Sequence, residues 1–526
     1  MKKIYIPILF VLLSQLIFAQ FPFTGFGCAN LEINNWRVQI NANNSNFWDM
    51  IGEPKAEIPK GSGKMTIFCQ NFWIGGYDGN NDLHMSADRY YANGGCFTPG
   101  PTANSYDSLF YNKYNRVWEI TESEVTNHMN NWSNGGYVMP EVIENWPGNG
   151  DISNGEAPVL APFIDANNNG IYDPQNGDYP YIQGHQAIYY ILNDNASVDT
   201  TLGVPPMGLE IHVMAFAFAD TGVIYNTFFM HFDIINHSPN IYHDVLFGFL
   251  TDFDIGDCMD DYIGCDTTQN LYFGYNGDSI DGDGFGLTYG SHPPAVACVF
   301  LNRTMHSFMY YNNGSCDMCD PALGIEYYNY MQSRWKDGSH LVHHGDGHNP
   351  ASTDTCNFVY PENSNWTEIT EANTPYDRRG LASISIGNII NNSCITADLA
   401  YVWARDGVNP DPHSSVVELL SQIPNVVAFA NQLALDSNCT YLHTDVKDKP
   451  LQKERYFNIY PNPAKDILTI KTNFTDYYVC LYSQLGQKVL EKQNATTINV
   501  DALRSGIYFI QLTNGIEAEW RKLIVE

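Results

Sequence analysis

Two stretches of the sequence concentrate the side-chain oxygens that calcium takes as ligands. In the first, FIDANNNGIYDPQNGD, Asp and Asn alternate and a glycine follows. An EF-hand-like loop needs oxygen ligands at alternating positions, a sharp turn at a glycine and then a backbone carbonyl. This spacing predicts as calcium ligands Asp165, Asn167, Asn169, the backbone of Ile171, Asp173 and Asp178.

The same stretch departs from the EF-hand pattern where the bidentate glutamate should stand. Asn176 occupies that position, and Asp178 could supply a carboxylate two residues later. Pro174 and Pro180 exclude an ordinary exiting helix, because proline cannot donate its backbone hydrogen bond. The stretch is therefore either a calcium loop of a different frame or an Asn/Gly-rich turn.

The second stretch, TDFDIGDCMDDYIGCDTTQ, directly follows a predicted strand over 245–250. Carboxylates at such short spacing repel one another unless a cation or solvent screens them. Calcium is our hypothesis for the cofactor, and the alternatives are a solvated loop or a catalytic carboxylate pair. The predicted ligands here are Asp252, Asp254, Asp257, Asp260, Asp261 and Asp266.

A histidine-rich segment, SHLVHHGDGHNP, is the third candidate for metal chemistry. Its four histidines and Asp346 could ligate a transition metal, but HxxHH lacks the glutamate of HExxH, and glycine and proline argue against an aligning helix. A turn-rich surface loop is the favoured interpretation. The sequence has no nucleophile elbow, phosphate-binding loop or dinucleotide fingerprint, so we assign no catalytic residue and leave enzymatic activity open, leaning against it.

The elements that must position these loops are mostly β-strands. LEIHVMAFAFAD, VIYNTFFMHFDIIN and HDVLFGFLTDFD are rich in β-branched and aromatic residues and are bounded by turn residues. Capping boxes at Thr121/Glu124 and Ser415/Glu418 predict two helices. We predict a mainly β fold: a large β-sandwich-like body with few short helices, and a small C-terminal Ig-like β-sandwich.

Charge separates the body from the tail. The formal net charge is −32, and residues 20–450 carry 15 basic against 50 acidic residues, whereas residues 451–526 are almost neutral. Such a body repels nucleic acid and anionic membrane surfaces. We therefore predict an acidic β-rich body over 20–437, as one unit or two subdomains, a linker over 438–455, and a tail domain over 456–526.

The N-terminus predicts export. Two lysines, an apolar run and a small residue at Ala19 form a secretory signal peptide over residues 1–19, and no later run is long enough for a transmembrane helix. Twelve cysteines in an oxidising compartment permit disulfides whose pairing the sequence cannot give. For Cys316 and Cys319 a disulfide is favoured over zinc, because no second ligand pair stands at matching spacing.

The tail contains six or seven short predicted strands separated by turn residues. Its residues closely resemble the C-terminal type A sorting domain of the type IX secretion system. The match covers the opening Tyr460-Pro461-Asn462-Pro463, Gly486 in the central strand pair, Gly506 and Tyr508 in the L-x-S-G-I-Y segment, and Lys522 in the closing strand. The resemblance implies passage through the outer-membrane translocon and handling by its processing machinery.

The body more broadly resembles uncharacterised secreted proteins that carry this tail, and that resemblance implies no activity. Our hypothesis is an exported cell-surface or secreted protein with a calcium-stabilised binding or adhesive body, whose ligand is a glycan or a protein. The alternatives are an extracellular hydrolase acting on glycans or peptides, and a structural surface-layer component. Carboxylates facing each other across a groove would favour the hydrolase, and self-assembly of the purified protein would favour the surface layer.

Overall fold

The computed structural model describes residues 25–90, 95–196, 200–282, 287–433, 439, 457–472, 477–483, 488–513 and 518–525. The predicted signal peptide and all of the predicted linker except Cys439 lie outside these residues. The chain divides into two compact units, Met1–Thr444 and Asp445–Glu526.

The first unit is built mainly of strands. Those before residue 254 are β1 (Cys28–Leu31), β2 (Arg37–Asn41), β3 (Ala56–Glu57), β4 (Ile67–Tyr77), β5 (Leu83–Ala87), β6 (Thr98–Pro99), β7 (Trp118–Thr121), β8 (Phe163–Ile164), β9 (Tyr179–Pro180), β10 (Gln186–Asn193), β11 (Leu209–Ala217), β12 (Thr227–Asn236) and β13 (Tyr242–Phe253). Those after it are β14 (Asp261–Asp266), β15 (Leu271–Asn276), β16 (Ile280–Asp281), β17 (Gly290–Ser291), β18 (Ala295–Phe300), β19 (Met305–Tyr311), β20 (Arg378–Ile389) and β21 (Cys394–Ala404).

The helices of this unit are short except for the last. They are α1 (Ser108–Tyr114), α2 (Glu122–Asn131), α3 (Glu141–Glu144), α4 (Gly324–Met331) and α5 (His413–Gln432). Single 3-10 turns cover Ile152–Asn154, Pro174–Asn176, Thr200–Leu202 and Gly222–Asn226. The prediction of a β-rich body with few short helices is confirmed.

Two large antiparallel sheets form the centre of the body, beside a three-stranded sheet of β1, β2 and β3 and the two-stranded pairs β8–β9 and β16–β17. The larger has the strand order β14-β15-β18-β21-β12-β11-β10-β6, with β7 also paired to β10, and the smaller has the order β19-β20-β13-β4-β5. Their facing surfaces enclose one aromatic core, in which Phe232 of β12 lies 5.7 Å from Phe247 and 5.5 Å from Phe249 of β13, measured between ring centroids. This is the sandwich that the alternating strands predict.

The second face of the larger sheet packs against α5. Phe429 of this helix lies 4.9 Å from the ring of Phe218 and 6.1 Å from that of Phe229. The helix begins at His413, so the predicted cap at Ser415 is wrong. Ser415 lies inside the helix because its hydroxyl serves the tertiary structure instead, donating to the carbonyl of Pro293 at 2.7 Å.

Helix α2 begins where its capping box predicts. Thr121 accepts a hydrogen bond from the backbone of Glu124, and Glu124 accepts one from the backbone of Thr121. Because the two bonds satisfy two of the otherwise unpaired groups of the first turn, a four-residue sequence signal is enough to fix this boundary.

The outer face of the smaller sheet is apolar in its middle and charged at one end. Helix α4 covers the middle, where Met331 packs over Gly248 of β13 and Tyr327 lies 4.7 Å from Trp73 of β4. Where β13 finishes and β20 begins, the residues of this face are Asp252 and Arg379. The change from apolar to charged side chains marks this end of the sheet as a candidate site.

The described residues of the second unit form seven strands, in line with the six or seven that the tail sequence predicts. They are β22 (Phe457–Tyr460), β23 (Ile467–Thr472), β24 (Tyr478–Ser483), β25 (Lys488–Gln493), β26 (Thr497–Asn499), β27 (Gly506–Thr513) and β28 (Ala518–Val525). They form sheets of order β22-β23-β26 and β25-β24-β27-β28 around one apolar core. The prediction of a small β-sandwich is confirmed.

Two disulfides join described cysteines, Cys316–Cys319 and Cys394–Cys439. The second links the start of β21 to the segment after α5. The favoured disulfide at Cys316 and Cys319 is therefore present.

Candidate functional site

The charged end of the smaller sheet gathers side chains from three strands and two loops. Asp252 of β13 stands opposite Arg379 of β20 and opposite Cys69 of β4, and directly paired residues project from the same face. Arg379 also stands opposite Tyr311 of β19. We call this cluster the acidic pocket and define it by the residues Tyr90, Asp252, Asp254, Tyr311, Asp320, Asp377 and Arg379.

Three carboxylates approach one another closely in the acidic pocket. One oxygen each from Asp252, Asp254 and Asp377 lies within 4.8 Å of the other two. Asp252 is only 2% exposed, whereas Asp254 and Asp377 are partly exposed. The group is therefore open to solvent on one side and closed on the other.

Arg379 and Tyr90 hold the buried side of this group. The guanidinium Nη2 lies 3.1 Å from Oδ2 of Asp377, and Nε lies 3.6 Å from Oδ1 of Asp252. Nε also donates to the Tyr90 hydroxyl at 2.7 Å, and that hydroxyl in turn donates to Oδ2 of Asp252. Arg379 and Tyr90 thus hold the Asp252 carboxylate from two sides, and Arg379 also holds Asp377.

Several polar atoms of the acidic pocket are buried without a hydrogen-bond partner among the described residues. These atoms are Oδ1 of Asp252, Asp320 and Asp377, Nη1 of Arg379 and the hydroxyl of Tyr311. Most buried polar groups in folded proteins are hydrogen-bonded, and leaving one unpaired costs about 1–3 kcal/mol. Five such atoms lie together in the acidic pocket, and each lacks a protein partner among the described residues.

The charges of the acidic pocket do not balance. Its four carboxylates face the guanidinium of Arg379 and, at 2.7 Å from Asp320, that of Arg89. Burial, with the neighbouring charge of Asp377, raises the pKa of Asp252 to about 7, although Arg379 opposes this. Burial and the charge of Asp252 raise the pKa of Asp254 well above its usual value. Negative charge is therefore costly here, and a bound cation would relieve that cost.

The next carboxylates of the predicted acidic stretch accept hydrogen bonds from nearby backbone N–H groups. Asp260 accepts from the backbone of Gly282 at 3.0 Å, and Asp261 accepts from that of Ile255 at 2.9 Å. The backbone of Asp257 donates to Asp281 at 2.9 Å. These carboxylates tie the connection between β13 and β14 to the segment around β16.

Asp266 is separated from the others. It lies at the far end of β14 from Asp261, about 16 Å away at about 3.3 Å per residue. Its Oδ1 accepts from the backbones of Thr268 and Gln269, so it closes the turn between β14 and β15. The structure does not bring it to the acidic pocket.

In the other predicted calcium loop, over 165–178, backbone and asparagine N–H groups donate hydrogen bonds to the loop's own carboxylates. Asp165 accepts from the backbones of Asn169 and Gly170, and Asp178 accepts from those of Ala166 and Asp173. The amides of three asparagines donate to the carboxylate of Asp173, namely Asn167 at 2.8 Å, Asn169 at 2.9 Å and Asn176 at 2.8 Å. The backbone N–H of Ile171 donates to Asn169. All six predicted ligands thus share one compact loop, whose carboxylates already accept hydrogen bonds.

The histidine-rich segment does not gather its histidines. His343 pairs with Asp354 at 3.0 Å and His344 with Glu371 at 3.5 Å. His348 lies 3.3 Å from Asp337, and these two come within 4.8 Å of Asp317. The segment is thus a turn-rich loop with separate surface pairs.

Sequence reasoning missed most of the acidic pocket. Asp377 and Arg379 stand about 125 positions after Asp252, and Tyr90 about 160 before it. One signal was available: Asp377-Arg378-Arg379 places two adjacent arginines before a β-branched and apolar run in a body with few basic residues. Buried arginines need carboxylate partners, and Arg378 finds Glu368 at 3.0 Å.

The sorting residues join the two ends of the tail unit. Asn462 donates to the carbonyl of Lys522 at 2.7 Å and accepts from the backbone of Ile524 at 2.8 Å. Tyr460 ends β22, with Pro461 and Pro463 on either side of Asn462, while Gly506 opens β27 and Tyr508 follows it. Gly486 lies outside the described residues. The opening motif therefore binds the last strand of its own domain.

The fold and site define a two-unit β protein with an acidic body. Residues 458–526 match the family model of the secretion system C-terminal sorting domain, which serves type IX secretion. The protein is therefore exported to the cell surface or secreted, and its tail engages the type IX machinery. No helix among the described residues is long and apolar enough to cross a membrane.

The other comparisons with known proteins show less similarity than the match of the tail. No curated protein matches the chain. A solved structure that it resembles is a polysaccharide lyase, at 9% identity and a TM-score of 0.18, with 60% of this chain covered. The chain spans 34% of that lyase's length.

Proposed function

We propose that this protein is an exported binding module whose body is stabilised by a calcium ion bound in the acidic pocket. The observation that carries the proposal is the approach of oxygens from Asp252, Asp254 and Asp377 to within 4.8 Å of one another. Oxygens bound to one calcium ion at 2.3–2.6 Å are at most about 5 Å apart, so this separation suits a single ion.

Charge supports the same proposal. Four carboxylates and two guanidinium groups leave the acidic pocket two negative charges in excess when every group is ionised, and one divalent cation offsets them. An unpaired buried charge costs several kcal/mol, so the ion would stabilise the folded state directly. Oδ1 of Asp252 and Oδ1 of Asp377 accept no hydrogen bond from the described residues, so a cation would not have to displace a donor from either oxygen.

The donor set favours calcium over other cations. Every candidate ligand is an oxygen, whereas zinc sites use mainly nitrogen and sulfur. Magnesium demands a near-ideal octahedron and keeps several waters, while calcium accepts irregular sets of six to eight oxygens. The loop over 165–178 is a second candidate for calcium, but it supports the proposal less because its carboxylates already accept backbone hydrogen bonds.

Thermal unfolding with and without calcium tests the proposal. At a free calcium concentration a hundred times Kd, the ion adds about 2.7 kcal/mol to the free energy of unfolding, so we expect Tm to rise by at least about 3 °C over the value in EDTA. Asp377→Asn should abolish most of this rise. Asp266→Asn, which changes an aspartate outside the acidic pocket, is the matched control and should keep it.

Each variant is compared with itself in EDTA and in excess calcium, so a change in its basal stability does not affect the result. Equal Tm values for the wild-type protein under both conditions would overturn the proposal. So would an equal response from the Asp377→Asn and Asp266→Asn variants, because the ion would then bind elsewhere.

A further inference from the structure

We propose that the disulfide between Cys394 and Cys439 is redox-active: it exchanges with external dithiols, and a neighbouring Asp–His pair supplies the proton that its leaving sulfur needs. That pair is Asp233 and His231. The site lies on the larger sheet, so it is separate from the acidic pocket and goes beyond the proposed function. The proposal begins from charged side chains that a purely structural disulfide does not require.

The disulfide and these charged side chains share one face of the larger sheet. In the pairing of β12 with β21, His231 stands opposite Asp398, and Cys394 lies four positions before Asp398 on β21. Asp233 lies two positions after His231 on β12. Side chains two or four positions apart on a strand project from the same face. The disulfide therefore brings Cys439, which follows α5, to the face that carries the charges.

One carboxylate lies beside the disulfide. An oxygen of Asp233 is within 4.8 Å of both sulfur atoms. Oδ1 of Asp233 lies 3.1 Å from Nε2 of His231, and Nδ1 of the same ring lies 2.6 Å from Oδ1 of Asp398. A carboxylate, an imidazole and a second carboxylate thus form a row of interacting groups that reaches the disulfide.

The imidazole in this row holds a proton that it can give. Burial lowers the pKa of His231, but Asp233 and Asp398 outweigh burial and raise it to about 10. Both ring nitrogens are therefore protonated at neutral pH. On the neighbouring strand β11, His212 stands opposite Asp233, but its Nε2 lies 2.7 Å from Glu210 and is committed to that carboxylate. The proton that can reach the disulfide through Asp233 is the one on Nε2 of His231.

The two sulfurs differ in exposure. Cys394 is partly exposed, whereas Cys439 is 4% exposed. An attacking thiolate therefore reaches Cys394, and the buried Cys439 is the leaving group. Exchange is slow when the leaving sulfur is a poor thiolate, and burial beside a carboxylate disfavours the thiolate. A proton donor at this point removes that obstacle.

The exchange transfers two electrons and two protons from the dithiol to the protein. One sulfur of the dithiol loses its proton to solvent and attacks Sγ of Cys394. The S–S bond breaks, and its electron pair moves to Sγ of Cys439. That sulfur takes the proton of His231 through the Asp233 carboxylate, and solvent reprotonates the imidazole. The second thiol of the dithiol then loses its proton to solvent and attacks the mixed disulfide, so the dithiol leaves as a disulfide and Cys394 takes a proton from solvent.

The experiment follows reduction of this disulfide by dithiothreitol in the full-length chain. Samples are quenched with acid and alkylated with N-ethylmaleimide, and peptide mass spectrometry reports the thiols of Cys394 and Cys439 separately from the other cysteines. We expect reduction of the folded protein to be first-order in dithiothreitol and at least as fast as reduction of the chain unfolded in guanidinium chloride. A buried structural disulfide behaves in the opposite way, because folding shields its sulfurs and it reacts only when the chain opens.

Asp233→Asn removes the carboxylate and keeps the shape of the side chain. We expect it to slow reduction about tenfold or more, since a positioned proton donor contributes at least that much. The sign of the change is diagnostic: losing a merely structural carboxylate loosens the site, and losing a negative charge attracts the thiolate, so either effect alone would speed reduction. Asp266→Asn, at a buried aspartate on β14 of the same sheet, is the matched control and should leave the rate unchanged.

Slower reduction of the folded protein than of the unfolded chain would overturn the proposal. This comparison uses the wild-type protein alone, so it decides the matter even if Asp233→Asn fails to fold. A rate in Asp233→Asn equal to or above that of the wild type would also overturn it, and so would an equal slowing in Asp266→Asn.

Discussion

At the scale of single residues, one part-buried histidine is held charged by two buried carboxylates. His231 of β12 lies with Nδ1 2.6 Å from Asp398 of β21 and Nε2 3.1 Å from Asp233. Burial alone lowers the pKa of His231, but the two carboxylates outweigh burial and raise it to about 10. This group bridges two neighbouring strands of the larger sheet and is separate from the acidic pocket.

The raised pKa of His231 predicts how stability depends on pH. Because the folded-state pKa lies above the usual value of about 6.5, the contribution is complete below pH 6.5 and is lost as pH rises towards 10. His231→Gln should cost about 3–5 kcal/mol in the free energy of unfolding at pH 7, since it leaves buried carboxylates without their cation.

Urea unfolding at pH 7 and pH 9.5 measures this effect. The wild-type protein should lose more stability over that range than the His231→Gln variant does. His343→Gln, at an exposed His–Asp pair, is the control and should change the free energy of unfolding by less than about 0.5 kcal/mol. A loss with pH as large in the His231→Gln variant as in the wild type would contradict the assignment.

The limits of sequence reasoning are clearest at this scale. Asp252 and Asp254 could be found because carboxylates crowd a short stretch, and local crowding is visible in the chain. Arg379 and Tyr90 could not, because only the pairing of β13 with β20 and the loop after β5 bring them to Asp252. Asp260 and Asp266 lie in the same acidic stretch of the sequence. Strand β14 runs between them, and its length places the two side chains far apart.

At the scale of elements, strands were predicted better than the ends of helices. The tail strands and the paired strands β11 and β12 follow from alternation between turns. The start of α2 follows from a local capping box, whereas α5 begins three residues earlier than its capping box predicts because Ser415 bonds to Pro293, 122 positions away. Local signals hold where no distant residue competes for the same side chain.

The two disulfides should contribute unequally to stability. Cys394–Cys439 closes a loop of 45 positions that contains α5, and Cys316–Cys319 closes one of three. In the chain-entropy model their removal costs about 4 and about 2 kcal/mol respectively, because a longer loop restricts the unfolded chain more. Paired Cys→Ser variants, compared by urea unfolding, measure both values. A larger loss from the Cys316/Cys319 pair would show that α5 is not tethered as described.

At the scale of the whole molecule, the sorting signal and the candidate binding site lie in different units. The tail unit is nearly neutral and carries the sorting motif, while the acidic pocket and the predicted calcium loop over 165–178 lie in the acidic body. Asn462 shows why the motif resembles its family so closely: it bonds to Lys522 and Ile524, so the motif is part of the tail's own fold. The body has no such recognisable motif, since its site is assembled from distant strands.

Deleting residues 456–526 should therefore stop export without unfolding the body. The tail has its own apolar core and forms a unit of its own, so its deletion removes only the sorting signal. We expect the truncated protein to accumulate in the periplasm, with a calcium-dependent Tm like that of the full chain, as measured by fractionation and thermal unfolding. Lys492→Ala, an exposed change in β25 outside the motif, should leave export at the wild-type level. If the truncated chain still reached the culture medium or the cell surface, a signal in the body, and not the tail, would be directing export.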